Sequence, residues 1–247
     1  MSHPVQATGR TIELVEELLD RGTAGVTELA TALDISKGAA HNHLQTLAAL
    51  DLVVQTDDGY RVGTRFLEFG ARARQEYQVF ETARQEVTTL ARTSGGVASL
   101  VVPEHGHAVY LTVRGDNADE TPLHDGFRRP LHASTAGKTI LAHRSSEQLQ
   151  TDIESSEPPW EPGSVAAADF QAALQTINEQ GVAFDRGSET AGIHRVAAPL
   201  TDADGEARGA LSVAGPADRL RGKRLDEDVA GLVVSSAQSV SVDLLST

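Results

Sequence analysis

The sequence predicts an α+β protein in two parts joined by a long helix. Three observations carry that prediction. Between residues 8 and 63, short helical patterns separated by tight turns lead into a hairpin signal; an apolar stripe runs from 65 to 93; and after Ser94, Gly95 and Gly96, strand signals alternate with helical ones. At 247 residues the chain can hold two domains, each with its own core.

In residues 8–21, Ile12, Leu14, Val15, Leu18 and Leu19 recur at helical spacing, and Gly22 and Gly25 end the pattern. A second, short helix is expected over 26–33, with Thr27 capping its start and Glu28 in its positive first turn. After a tight connection, Ser36 is the expected N-cap of a third helix, 37–50, that buries Ala40, Leu44, Leu47 and Leu50. Two such helices across a short turn form a helix-turn-helix. Strands at 52–55 and 60–62 flank Asp57, Asp58 and Gly59, a strong hairpin signal, so residues 1–63 read as a winged helix.

The stripe of Phe66, Phe69, Ala73, Tyr77, Phe80, Val87 and Leu90 predicts one helix over 64–93. It fits equally an ordinary packed helix and a linker that pairs two subunits. The second domain, 94–247, opens with strands at 97–102 and 108–113, followed by an irregular stretch, 114–130. A helix starts within 131–143, and 144–168, rich in Ser, Glu and Pro, reads as a surface excursion. A helix over 170–180, strands at 182–185, 196–200 and 207–214, and a closing helix over 225–245 complete the chain.

Composition removes several classes of function. Cysteine is absent, which excludes disulfides, thiolate catalysis and cysteine-ligated metals. No apolar run approaches the roughly 18 residues of a membrane span, and the first ten residues lack a signal-peptide core, so a cytoplasmic protein with no membrane partner is expected. The formal charge is -14, from 35 acidic against 21 basic residues, and only Lys37, Lys138 and Lys223 are lysines. Such a surface repels polyanions. The same balance, spread along the chain and favouring arginine, is that of proteins from salt-loving cells.

Lys37, His41, Asn42 and Gln45 fall on the face of the third helix opposite Ala40, Leu44 and Leu47. Asn and Gln can read an adenine edge and Lys can reach guanine or phosphate, which suits the major groove of double-stranded DNA. Charge argues against it: residues 1–63 carry four cations (Arg10, Arg21, Lys37, Arg61) and nine anions. In molar salt, counterion release contributes little for any protein, and direct readout has to carry binding. His41 and His43 are two apart, not the i, i+4 spacing of a helical metal site.

Ala136-Gly137-Lys138-Thr139 matches the end of a nucleotide-binding P-loop, G-x-x-x-x-G-K-[ST], but His132 stands where the first glycine belongs. The nucleotide reading fails on that residue. The sequence also lacks the G-x-S-x-G elbow, H-E-x-x-H and a dinucleotide fingerprint, so no catalytic residue, metal ligand or cofactor is assigned.

The order of parts resembles the IclR family of transcription regulators. The match runs through "RTIELVEELLDRGTAGVTELATALDISKGAAHNHLQTLAALDLV", "YRVGTRFLEFG", "RRPLHASTAGKTILA" and "INEQGVAFDRGSETAGIHRVAAPLTDADGEARGALSVAGPADRL", and covers nearly all of residues 8–245. The resemblance implies a DNA-binding winged helix, a linker helix used in dimerisation, and a C-terminal effector domain similar to the GAF fold. It implies dimers or dimers of dimers on operator DNA, answering to a small, often acidic, metabolite. The DNA-facing set it suggests is Thr27, Ser36, Lys37, Gly38, Ala39, His41, Asn42, Gln45 and Arg61; Gly38 and Ala39 replace a frequent Ser-Thr pair.

By the same resemblance the effector's acid group meets backbone N–H groups at Ser134, Thr135 and Ala136, and side chains at Asp185, Arg195, Ser212 and Ala214. Arg195 replaces a residue that is often small, Ala214 lacks a hydroxyl that some relatives have, and Arg129 lies where some members are apolar. Arg195 and Arg129 could pair an effector carboxylate over the helix start at Thr135. Arg195 could instead form a structural ion pair with Asp185 or Glu189. A rival reading of the whole chain is a diverged GAF-like binding protein or enzyme with a vestigial winged helix.

Overall fold

A computed structural model describes residues 4–116, 118, 121–159 and 165–245. Contacts divide the chain into two compact units, 1–73 and 74–247. The first holds helices α1 (Gln6–Arg21), α2 (Val26–Ala32) and α3 (Lys37–Ala49) and the hairpin β1 (Val53–Thr56) and β2 (Gly59–Val62). Leu14, Leu18, Leu29, Leu44, Leu47, Val53 and Tyr60 form its core. Ala24 pairs with Tyr60 by two backbone hydrogen bonds of 3.0 and 2.9 Å, which ties the wing to the turn before α2. The α2 and α3 helices both end through an aspartate at positive φ, Asp34 and Asp51, with the next amide bonded back to Ala30 and Leu47.

Several expectations for this unit need correction. Thr27 does not cap α2: the N-cap is Gly25, whose N–H donates to Glu28 at 2.7 Å, and Thr27 lies exposed in the first turn. Ile12, Leu19 and Leu50 are exposed, because the buried stripe of α1 is the narrower Leu14, Val15, Leu18 and Leu50 lies past the end of α3. Ser36 does cap α3, accepting from the Ala39 N–H at 3.1 Å.

The stretch predicted as one helix over 64–93 is two, α4 (Arg65–Gln75) and α5 (Gln78–Ser94). The stripe serves two cores: Phe66 packs on that of the first unit, whereas α5 buries Val79, Phe80, Ala83, Val87 and Leu90 in the second. Tyr77, extended between them, donates its hydroxyl to Glu104 at 2.7 Å.

The second unit is built on an antiparallel sheet in the order β5-β4-β3-β8-β7-β6. Its strands are β3 (Val97–Glu104), β4 (His107–Arg114), β5 (Arg128–Pro130), β6 (Ala183–Arg186), β7 (Ile193–Thr201) and β8 (Ala207–Pro216). On one face α5 and α9 (Ala230–Leu244) cover Ala98, Leu100, Val102, Val196, Leu200, Leu211 and Val213. On the other, α6 (Thr135–Ala142) and α8 (Val165–Gln180) pack over Val101, Tyr110, Ala197, Ala210 and Ala214. Alternation along each strand sorts side chains between the faces. A register shift at Leu100/Val101 sets Tyr110 opposite Val101 and so brings its ring to the α6 side.

The irregular stretch contains β5, and the surface excursion contains a helix, α7 (Ser146–Ser155), started by the Ser145 cap. Residues 160–164 of that excursion lie outside the described residues. Arg224–Val229, ahead of α9, is wound more widely, with i→i+5 geometry.

Gly137 is required by packing. A Cβ there would lie 2.2 Å from the Leu131 carbonyl oxygen, because α6 crosses the short turn Leu131–Ala133 at backbone contact. Gly137→Ala is therefore expected to destabilise the second unit by about 1–3 kcal/mol. Gly231→Ala, on an open face of α9, should stabilise by about 0.5–1 kcal/mol. Urea midpoints of the two variants check both.

Candidate functional site

Strand register gathers the site on the α6 face of the sheet. Asp185 on β6 pairs with Arg195 on β7, which pairs with Ala214 on β8; one pleat along, Ala197, Ser212 and Ser99 form a second row. Above them α6 begins. Ser134 is its N-cap and accepts from the Gly137 N–H at 2.8 Å, while its own N–H is directed to the Leu131 carbonyl. Arg129 approaches from β5, and Tyr110 lies buried beneath.

The loop between β6 and β7 supplies the residue around which these groups close. Glu189 Oε1 accepts from both the N–H and the hydroxyl of Thr135. Its Oε2 lies 2.9 Å from Arg129 Nη1 and 3.7 Å from Arg195 Nε. The Glu189 side chain is only 3% exposed. Arg195, equally buried, reaches Asp185 Oδ2 at 3.3 Å and Thr190 Oγ1 at 3.0 Å, and its Nε has no hydrogen-bond acceptor.

Asp185 also organises the loop, accepting from the N–H groups of Gly187, Ser188 and Glu189 and from the Ser188 hydroxyl. Burial by itself would raise its carboxyl; the Ser188 and Glu189 hydrogen bonds and the Arg195 charge outweigh burial and hold it below its ordinary value of 3.8. Tyr110 is pushed up to about 12 by burial and by the Glu189 charge, against the opposing pull of Arg195, so its phenol stays neutral at physiological pH.

Ser212 and Ala214 are buried in the sheet beside Arg195, and Ala136 is buried in the first turn of α6. Glu189 was named in the sequence only as an ion-pair partner; Thr190, Tyr110 and Ser99 carried no signal there. His132, at the P-loop's glycine position, bonds to Ser156, and burial lowers its imidazole.

In the first unit Thr27, Ser36, Lys37, Gly38, His41, Asn42, Gln45 and Arg61 are exposed and Ala39 is half-buried. Arg10 and Arg21 are engaged by Glu13 and Glu17 on α1. Among the described residues of 1–63, Lys37 and Arg61 are the cations without an ion pair, Arg10 and Arg21 being engaged; Arg65, at the start of α4, donates to the Leu50 carbonyl. His43 is tied to Thr11 at 2.8 Å rather than presented with His41.

The model of the IclR helix-turn-helix domain matches residues 7–57, and that of the bacterial transcriptional regulator IclR C-terminal region matches 71–242. Among curated relatives, the "Probable HTH-type transcriptional regulator ArcR" of Halobacterium salinarum is 29% identical over 245 residues, covering 94% of this chain and 91% of the relative. Among solved structures, the Thermotoga maritima IclR superposes with a TM-score of 0.78 at 20% identity, covering 97% of this chain and 98% of that one. An IclR homologue from Microbacterium hydrocarbonoxydans, solved in complex with 4-hydroxybenzoate, also gives 0.78 at 20% identity, covering 98% and 100%.

The depressed Asp185 carboxyl makes a stability prediction. The stabilisation belongs to the charged form: it is fully present above the ordinary value of 3.8 and is lost as pH falls through the lower folded-state value. Asp185→Asn should cost about 3–5 kcal/mol at pH 7, because it leaves Arg195 charged and buried. It should also flatten the loss of stability below about pH 4, as read by urea unfolding across pH.

Proposed function

The chain belongs to the IclR family of transcription regulators, and from that premise we propose that a small organic or sugar acid binds between α6 and the sheet and alters operator binding by the winged helix. The observation that carries this reading is the convergence of Arg129, Arg195 and the Thr135 N–H on one carboxylate position, in a protein of net charge -14. Two arginines at a helix start, one buried and one partly exposed, on an acidic protein are suited to an anion. That a homologue of the same fold was solved with an aromatic carboxylate, 4-hydroxybenzoate, agrees with this choice of ligand class.

In this reading residues 1–63 bind DNA, 64–93 connect and pair subunits, and 94–247 bind the effector. Asn42, Gln45 and Lys37 on α3 read bases, His41 and the first turn, Ser36 to Ala39, lie against the groove, and Thr27 and Arg61 meet the backbone. Pairing into a dimer, or a dimer of dimers, is supported by α4, which buries none of its residues and exposes Leu67 and Phe69. The regulator acts in the cytoplasm at high salt and is not an enzyme; no described helix is long and apolar enough to cross a membrane, and its relatives are regulators.

Selection of genomic fragments by the purified protein in molar potassium chloride tests the DNA half of this function. A palindromic site should be enriched, and short oxo-acids or sugar acids should change its occupancy; absence of any enriched site favours the rival reading of a diverged small-molecule-binding protein. With Lys37 and Arg61 as the cations of residues 1–63 that make no ion pair, a dimer should show a shallow salt dependence. The slope of log K on log salt should be no steeper than about −4, measured by fluorescence anisotropy, and Asn42→Ala should cost about 1–3 kcal/mol of specific binding.

A further inference from the structure

We propose that Glu189 is a built-in competitor: its carboxylate fills the acid position of the effector site, and an effector binds by exchanging its own carboxylate for it. This rests on the effector site proposed above and assigns it a ligand class, a small carboxylate. The place an acid would take is the start of α6 flanked by two arginines, and the protein's own side chain already takes it. Glu189 Oε1 holds the Thr135 N–H and hydroxyl, and Oε2 holds Arg129 at 2.9 Å.

The fit is incomplete in a way that points to a second occupant. Arg195 is 2% exposed, yet its Nε has no hydrogen-bond acceptor, with Glu189 Oε2 left at 3.7 Å. The Ser99 hydroxyl, on the same sheet face, is fully buried and also without a partner. Buried donors are rarely left so. A free carboxylate, not tethered to a loop, can lie closer to Arg195 and satisfy it. A neutral ligand cannot replace the charge that Glu189 supplies to Arg129 and Arg195, so it would leave the buried Arg195 and the partly exposed Arg129 with only Asp185 opposite them.

Glu189 sits in a loop whose backbone is held through its own N–H by Asp185 and through its carbonyl by Arg129 at 3.1 Å, so release of the side chain is the smallest motion that frees the acid position. The loop is bracketed by Gly187 and Gly192, both at positive φ, and its base is fixed by Asp185 and by the Ala217 N–H bonded to the Gly192 carbonyl at 2.7 Å. Departure of Glu189 leaves the Asp185–Arg195 pair in place. A competitor that occupies its site in all but a few per cent of molecules lowers apparent affinity by the inverse of that fraction.

Calorimetric titration of the full chain and of Glu189→Ala, in molar potassium chloride with potassium acetate, pyruvate and 4-hydroxybenzoate as probes, tests the exchange. Removal of the competitor is expected to tighten carboxylate binding roughly ten- to hundred-fold, with acetate binding the variant at concentrations that leave the parent protein unbound. Equal affinity in the two proteins overturns the exchange and leaves the acid-effector site standing; no carboxylate binding by either protein overturns both. Should Glu189→Ala fail to fold, hydrogen exchange on the unaltered protein decides: faster exchange at residues 187–192 when pyruvate binds supports the exchange, and slower exchange overturns it.

Discussion

A carboxylate at the start of α6 is the constraint on which the second unit turns. Two arginines and two acids, Arg129, Arg195, Asp185 and Glu189, meet on one face of the sheet, and three of the four side chains are at most 3% exposed. An uncompensated charge there would cost several kcal/mol, so the loop carrying Glu189, strand β5 carrying Arg129 and the first turn of α6 are placed by the need to neutralise one another. The apolar cores on the two faces of the sheet fix where the strands lie; the charge cluster fixes how the loop and α6 close over them.

The helix-turn-helix and its wing were legible because their signals are local. Ser36 and the pair Asp58-Gly59 each act within a few residues, and the structure places a cap and a hairpin at those positions. The central strands were legible for a similar reason: runs of β-branched and apolar residues bounded by turn signals mark strands even where their partners are distant. What escaped depends on context. The division of 64–93 into two helices follows from its stripe being shared by two cores, and β5 is a three-residue strand that exists by pairing with β4. The exposure of Ile12, Leu19 and Leu50 reflects how narrow the first core is.

The candidate site was half legible. The resemblance points to Asp185 and Arg195, with an ion pair between them as one of two open readings; the strand predicted at 196–200 stops short of Arg195, and it is the β6–β7 register that sets the two opposite each other. The role of Glu189 was not legible, because it bonds to Thr135, 54 residues away in the chain, through a loop whose course no local pattern reveals. The P-loop-like segment is explained by the same geometry. Gly137 is there for its contact with Leu131 rather than for a phosphate, His132 is turned to Ser156, and the free amide at the helix start meets a carboxylate. A helix terminus serves any anion that reaches it, including one from the protein's own chain.

The Thr135 amide reports that contact most directly. In a proton–nitrogen correlation spectrum of the full protein, the account predicts that this amide is shifted downfield and protected from exchange. In Glu189→Gln it should lose both properties and recover them when potassium acetate, but not potassium chloride, is added. A Thr135 resonance that is unchanged by the substitution would contradict the central claim, since the helix start would then owe nothing to the charge of Glu189.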